Sequence, residues 1–156
     1  MRIYNAIQNI LIGIAVLIIA VVGVLWIFNI HPKIVLSGSM EPTIKTGSVC
    51  FIDYGQKTPE KGDIIAFTKG TTDVTHRVVE VREDGYVTKG DNNDSNDPGI
   101  VYKSQVYGTN VFWIPNVGYW IMALKTAKGI GILATAVVAF IILGALLRNM
   151  SGKKDE

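Results

Sequence analysis

Two short stretches of the chain contain residue types that could together hydrolyse an amide bond. Ser39 lies in the segment Ser-Gly-Ser-Met-Glu-Pro-Thr of residues 37–43, and His76 lies in Thr-His-Arg-Val of residues 75–78. A serine hydroxyl is a poor nucleophile at neutral pH, but a neutral imidazole can accept its proton and return it to the leaving amine. These residues therefore indicate an activated serine, which also needs a group that orients the base and donors for the oxyanion.

The rest of the composition limits the other kinds of site. The 156 residues contain two histidines, His31 and His76, and one cysteine, Cys50. So few of these residues exclude a conventional Cys/His zinc site and an internal disulfide. We expect no metal and no cofactor, an interfacial position for His31, and Cys50 as a small core residue in its apolar stretch.

Two apolar runs are long enough to cross a membrane. Residues 3–30 contain no charged side chain, and an α-helix needs roughly 20 residues to span about 30 Å of hydrocarbon. No small-x-small cleavage site occurs at the end of this run, which argues against a cleavable signal peptide. A second uncharged run follows at residues 129–147. We predict transmembrane helices over residues 5–29 and 129–147.

The charges that flank these runs predict an orientation. By the positive-inside rule, the tails at residues 1–4 and 148–156 lie in the cytoplasm and the domain between the runs lies outside. We therefore expect an integral membrane protein with its soluble domain on the extracytoplasmic side. As its location we expect the plasma membrane of a prokaryote rather than the endoplasmic reticulum. Lys125 and Lys128 weaken this bias and are interpreted as part of an interfacial segment, residues 119–128. The basic residues of the tails are Arg2, Arg148, Lys153 and Lys154.

Residues 30–118 have the size and composition of one small soluble domain. Short runs rich in β-branched and aromatic residues alternate with turn signals, and no long helical period intervenes. We predict a mainly β fold: a small antiparallel, partly closed β domain flanked by N- and C-terminal transmembrane helices. The predicted strands cover residues 49–52, 63–67, 74–81 and 86–89.

Two other ligand classes are not favoured. The net charge of +2 is small and evenly scattered, so we expect no nucleic-acid partner. The polar loop at residues 91–99 has the alternate spacing of a calcium-binding EF-hand, but Asn96 replaces the turn glycine and Tyr102 replaces the final glutamate. The loop therefore departs from the calcium-binding pattern twice.

Taken alone, Ser39 and His76 are not diagnostic, because a Ser-Gly-Ser segment is usually a turn and a lone strand histidine is usually structural. Their position favours chemistry. The roughly nine residues from Ile30 to Ser39 span at most about 30 Å when extended, so Ser39 would work close to a membrane surface. A protease there would suit substrates that are inserted in the membrane near the cleaved bond.

Successive boxes of this chain resemble those of type I signal peptidases. They occur in the order of that family and cover nearly the whole soluble domain. His76 stands where the common bacterial subtype has lysine, so the chain resembles the endoplasmic-reticulum-type subtype, which uses histidine. The matching boxes are residues 37–43, 61–67, 75–78, 89–93 and 96–97.

The resemblance implies catalytic roles for four residues. Ser39 would be the nucleophile, and His76 would be the general base and then the general acid. Asp91 and Asp97 both match acidic positions of the family. The Pro-Gly pair after Asp97 fixes and reverses the chain, which favours Asp97 as the residue that orients His76 and Asp91 as the residue that shapes the loop. The exchanged assignment stays open.

The same resemblance implies how the substrate is held. The backbone N–H of Ser39, joined by the Ser37 hydroxyl, would form the oxyanion hole. Met40 and Pro42 would shape the nucleophile turn and the substrate cleft.

We therefore expect a membrane-bound serine endopeptidase that removes N-terminal signal peptides from exported preproteins by Ser-His-Asp acyl-enzyme chemistry. Its partners would be preproteins with small residues before the cleaved bond, membrane lipid and accessory membrane subunits. Two alternatives remain: a catalytically silent membrane-anchored β binding module, and a related Ser-Lys self-cleaving protease. Lys69 and Lys89 are available for the latter, but neither replaces the family's lysine in its own box.

Overall fold

A computed structural model describes residues 2–56 and 58–152 of the protein. Helices occupy the two ends of the described chain, and strands occupy most of its middle. The elements are α1 (Arg2–Ile27), β1 (Ile30–Ile34), β2 (Val49–Asp53), β3 (Ile64–Lys69), β4 (Thr72–Val81), β5 (Gly85–Lys89), β6 (Val101–Tyr102), a 3₁₀ turn (Lys103–Gln105), β7 (Val106–Ile114), α2 (Val117–Lys125) and α3 (Ala127–Gly152).

The chain divides into two compact units, one from residues 1–23 and 121–156 and the other from residues 24–120. In the first unit, the spans Ile3–Ile27 and Ala127–Leu146 are long and apolar enough to cross a membrane. The apolar helices predicted at both ends are therefore confirmed. The predicted tail residues Lys153 and Lys154 lie outside the described residues.

A tyrosine near the start of α1 joins this helix to α3. The rings of Tyr4 and Phe140 stack with their centres 5.1 Å apart, and the Tyr4 hydroxyl donates a hydrogen bond of 3.2 Å to the Phe140 carbonyl. A Cβ atom at Gly144 would overlap the Tyr4 ring. The absence of a side chain at residue 144 thus allows the two helices to approach.

The second unit contains one antiparallel sheet of seven strands in the order β1-β2-β7-β3-β4-β5-β6. The predicted antiparallel β domain is confirmed, and the sheet does not close, since β1 and β6 lie at its two edges. Strands β1, β6 and β7 were not among the predicted strands. β1 contains Pro32, which an edge strand tolerates because one side of its backbone has no strand partner.

Strand β3 separates two apolar clusters. Ile64 and Ala66 pack into the first cluster, and Ile65 and Phe67 pack into the second. Successive side chains of a strand point to opposite faces, so the first four residues of β3 are buried on both sides, and they are all apolar for that reason. The other buried members are Met40, Ile44, Cys50 and Ile52 in the first cluster, and Val78, Tyr86, Val101 and Val106 in the second.

Strand β4 has a free backbone edge along its first half. On one side it pairs with β3 from Thr72 to Arg77. On the other side it pairs with β5 only from Arg77 onward. The edge of β4 before Arg77 is therefore open to another extended chain.

Cys50 provides a test of the first cluster. It has no exposed surface, and burial raises the pKa of its thiol to about 11. At about pH 8 only about a thousandth of such a thiol is ionised, so we expect negligible alkylation of the folded protein and rapid alkylation after unfolding, as measured by mass spectrometry. As a control, a Thr71→Cys cysteine in the exposed turn before β4 should be alkylated in the folded state. Equal rates at the two cysteines would contradict the packing.

Candidate active site

Ser39 lies in a series of turns between β1 and β2. The neighbouring Met40 and Ile44 are buried in the first cluster, and the Ile44 N–H donates to the Met40 carbonyl at 2.9 Å. The Glu41 carboxylate accepts hydrogen bonds from the backbone N–H and the hydroxyl of Thr46, at 3.2 and 3.1 Å. Ser39 is half-buried and is held in place by the packing of the residue that follows it.

The loop after β5 supports the backbone of Ser39. The N–H of Asn92 donates to the Ser39 carbonyl at 2.9 Å. A Cβ atom at Gly90 would lie 2.5 Å from the same carbonyl oxygen, which is too close for any side chain there. Glycine at residue 90 therefore allows this loop to approach the serine.

His76 connects Ser39 to Asp97 through its two ring nitrogens. Nε2 lies 3.1 Å from the Ser39 hydroxyl oxygen, and Nδ1 lies 2.6 Å from the Asp97 carboxylate. A carboxylate accepts and does not donate when ionised, so Nδ1 carries the proton and donates it to Asp97. Nε2 is then free to accept the proton of the serine.

Asp97 has a second hydrogen-bond donor in Thr88 on β5. The Thr88 hydroxyl donates to the same Asp97 oxygen at 2.6 Å, and the backbone N–H of Asp97 donates to the Thr88 carbonyl at 2.8 Å. Thr88 is fully buried. Its hydroxyl and carbonyl together fix the orientation of the carboxylate that meets His76.

Asp91 binds the residue next to His76 instead of His76 itself. Arg77 donates from Nε and Nη2 to the two oxygens of Asp91, at 2.8 and 2.7 Å, and from Nη1 to the Gly62 carbonyl at 2.7 Å. These hydrogen bonds from Arg77 hold the pKa of Asp91 below its usual range, although burial opposes the shift. Asp91 thus anchors the loop that carries Asp97.

The other predicted site residues lie in different surroundings. The Ser37 hydroxyl lies 3.4 Å from that of Ser39, and Met40 lines a groove beside the serine. Pro42, which follows a cis peptide bond, is exposed and is not among the residues that line the groove.

The groove has a volume of about 800 Å³ and is open to solvent. Its two sides are the chain from Lys33 to Ser37 and the segment from Thr71 to His76, which comprises the end of the turn before β4 and the first half of that strand. Ser39 and His76 lie at one end of these segments, and Tyr107 contributes to the lining. The groove thus joins the serine to the free edge of β4.

Several residues of this site were not predicted. Thr88 sits in a predicted strand, and its burial depends on pairings that its own sequence does not reveal. Arg77 was visible beside His76, and an arginine near two aspartates could have suggested the ion pair. Among the described residues, no cluster of three or more His, Cys, Asp and Glu side chains could hold a metal ion.

Comparison with known proteins gives consistent matches. The family profile described as "Signal peptidase, peptidase S26" matches residues 7–79. The chain is 32% identical over 148 residues to the signal peptidase complex catalytic subunit SEC11 of Lachancea thermotolerans, covering 81% of this chain and 84% of that protein. It is 40% identical over 87 residues to signal peptidase I W of Bacillus subtilis, covering 51% of this chain and 46% of that protein. It is 34% identical over 100 residues to the complex subunit SEC11C of Canis lupus familiaris, covering 54% of this chain and 52% of that protein.

The Arg77–Asp91 ion pair leads to a prediction about stability and pH. Asp91→Asn should lower the free energy of unfolding by about 1–2 kcal/mol near neutral pH, because it replaces charged hydrogen bonds in a partly buried pair. The folded-state pKa of Asp91 is lowered. The ionised carboxylate therefore contributes its whole stabilisation above its unfolded pKa of about 3.9, and this contribution is lost as pH falls through the folded-state pKa.

The difference between wild type and Asp91→Asn should therefore be largest near neutral pH and should shrink below about pH 4. Thermal unfolding in detergent at several pH values measures it. Asp84→Asn, in an exposed turn, is the matched control and should change stability little. A loss in Asp91→Asn that is independent of pH would contradict the ion-pair explanation.

Proposed function

Because the chain belongs to the signal peptidase family, peptidase S26, we propose that it is a membrane-anchored serine endopeptidase that uses Ser39, His76 and Asp97 to remove N-terminal signal peptides from exported preproteins. Family membership makes it a peptidase that removes signal peptides. The observation that best supports the catalytic residues is the continuous hydrogen-bonded line from the Ser39 hydroxyl through His76 to Asp97.

The proposed first half of the reaction is acylation. His76 Nε2 accepts the Ser39 proton as the serine oxygen attacks the carbonyl carbon before the cleaved bond. The imidazolium that forms is stabilised by the Asp97 carboxylate, and it then protonates the leaving amine. This leaves the signal peptide as an ester on Ser39. In the second half, His76 deprotonates a water that attacks the ester, and the proton returns to Ser39.

The negative charge that develops on the carbonyl oxygen needs donors at the same place. We assign this role to the backbone N–H of Ser39 and the hydroxyl of Ser37, whose oxygen lies 3.4 Å from that of Ser39. Such donors stabilise the tetrahedral intermediate more than the ground state, and removal of one typically costs about 2.7–4 kcal/mol.

The groove supports binding of the substrate as an extended chain. Its two sides are extended segments, and β4 has unpaired backbone groups before Arg77. A peptide laid along them gains main-chain hydrogen bonds whatever its sequence, and its alternate side chains point toward the floor of the groove, which we define as the part lined by Met40 of the first apolar cluster. Recognition by backbone suits an enzyme that must accept many signal peptides. Met40 lies close to Ser39 on this floor and would limit the size of the side chain next to the cleaved bond.

The geometry gives less support to the Ser-Lys alternative. His76 provides the nitrogen beside the Ser39 hydroxyl. Lys89 lies beyond the free edge of β4, paired with Arg77, and Lys69 is exposed at the end of β3. A histidine base needs no burial to remain neutral near pH 7, whereas a lysine does.

The location is part of the proposal. Two helices able to span a membrane support anchoring, and the positive-inside rule supports a catalytic domain on the extracytoplasmic side. We place the enzyme in the plasma membrane of a prokaryote, where preproteins and lipid are its partners. Relatives named as catalytic subunits of a signal peptidase complex support accessory membrane subunits as further partners.

Serine variants test the proposed function. Purified protein in detergent, incubated with a preprotein, should release a product whose new N-terminus follows a small-x-small sequence. Ser39→Ala should abolish this cleavage without changing the melting temperature, because only one oxygen is lost. Ser37→Ala should lower kcat by about 10²–10³-fold, as expected for loss of one oxyanion donor.

Ser104→Ala, at an exposed serine of the 3₁₀ turn, is the control and should cleave normally. Full activity in Ser39→Ala would exclude the mechanism. A wild-type protein that binds the preprotein but does not cleave it would instead favour a silent binding module.

A further inference from the structure

An ion pair between Lys33 and Asp73 joins the two sides of the groove, away from the end at which Ser39 lies. The ammonium nitrogen of Lys33 lies 3.0 Å from the carboxylate of Asp73, and these residues belong to the two segments that border the groove. The same nitrogen lies 5.3 Å from the centre of the Tyr107 ring. Both charged side chains remain about half exposed, at 41% and 53%. The pair is therefore accessible to a peptide in the groove.

Lys33 and Asp73 point to the face of the sheet that carries the first apolar cluster, whose member Met40 also lines the groove. Residues directly opposite in an antiparallel pair point to the same face. Lys33 is opposite Cys50, which is buried in the first apolar cluster. On β4, Thr75 is opposite Ala66, which belongs to the same cluster, and Asp73 is two residues away on the same side of the strand.

Electrostatic effects on the neighbouring groups agree with this position. The hydrogen bond that Lys33 donates to the Asp73 carboxylate raises the pKa of Lys33. Burial is the main cause of the raised pKa of Tyr107, and the charge of Asp73 adds to it. Tyr107 thus contributes a phenol that stays neutral beside the Lys33–Asp73 pair.

The spacing along β4 relates this pair to a substrate position. The groove extends from His76 toward Thr72, because β5 occupies the edge from Arg77 onward. Side chains two residues apart on an extended peptide point the same way and are about 6.4–6.8 Å apart. The floor offers two positions with this spacing, at Thr75 and Asp73. Signal peptides have small residues at two positions with the same spacing, the first and the third before the cleaved bond.

Resting on the proposed function, we propose that Lys33 and Asp73 form a charged subsite for the third residue before the cleaved bond, and that this subsite prefers a hydroxyl-bearing side chain to an apolar one of the same shape. A hydroxyl can donate to the Asp73 carboxylate or accept from the Lys33 ammonium. An apolar group displaces water from both charges and replaces none of its hydrogen bonds.

Threonine and valine provide the matched comparison, since they differ by a hydroxyl in place of a methyl. The assay uses preprotein peptides that are identical except for Ala, Thr, Val, Lys or Glu at the third position before the cleaved bond. We expect wild-type kcat/KM to be about tenfold higher for Thr than for Val, which is the effect of one net hydrogen bond at a solvent-accessible subsite. The double variant Lys33→Met/Asp73→Leu should lose or reverse this preference.

Single substitutions should create opposite charge preferences. Lys33→Met leaves the Asp73 carboxylate without the Lys33 ammonium, so kcat/KM for the Lys peptide should be higher than in wild type. Asp73→Asn leaves the Lys33 ammonium without the Asp73 carboxylate, so kcat/KM for the Glu peptide should be higher than in wild type. Lys61→Met, at an exposed lysine away from the groove, is the control and should keep the wild-type order of peptides.

Equal kcat/KM for the Thr and Val peptides in wild type, or a Thr preference that persists in the double variant, would overturn the subsite. Failure of the wild type to cleave even the Ala peptide would count against the proposed function. Fluorescence anisotropy of the same peptides with the Ser39→Ala protein tests the subsite separately, since tighter binding of Thr than Val, lost in the added double variant, requires no chemistry. Equal binding of the two peptides would overturn the subsite.

Discussion

The hydrogen bond of 2.6 Å between His76 Nδ1 and Asp97 is the interaction on which the proposed chemistry depends. It places the ring proton on Nδ1, so that Nε2 faces the Ser39 hydroxyl as an acceptor. Thr88 fixes the carboxylate from below, and the loop that carries Asp97 also binds the Ser39 carbonyl through Asn92. One loop therefore positions both the proposed orienting group, Asp97, and the proposed nucleophile, Ser39.

Two adjacent residues of β4, His76 and Arg77, each bind a different aspartate. Because neighbouring strand residues point to opposite faces, His76 meets Asp97 and Arg77 meets Asp91. The arginine keeps the charge of Asp91 paired, which leaves Asp97 as the carboxylate that contacts the imidazole. Asp91 thus anchors the loop, whereas Asp97 is the proposed orienting group of the base. A substitution at one aspartate can therefore disturb one of these roles more than the other.

Local patterns predicted the terminal helices and the β character of the middle segment, because charge-free runs and β-branched clusters act over short distances. The order of the strands in the sheet could not be predicted from such local patterns. β7 pairs with both β2 and β3, and Lys33 meets Asp73 across 40 residues, contacts that only the folded sheet creates. The motifs predicted Ser39 and His76 and left two aspartates, of which the Pro-Gly pair after Asp97 favoured Asp97. Thr88 was missed because its role depends on burial and not on local sequence.

The most direct test of the central claim is the turnover of an Asp97→Asn variant on a preprotein, measured beside its melting temperature. The asparagine keeps the shape and removes the charge that stabilises the imidazolium. The proposed triad predicts that kcat falls by about 10⁴-fold, with little change in melting temperature. Near-normal kcat in folded Asp97→Asn protein would contradict a base oriented by aspartate.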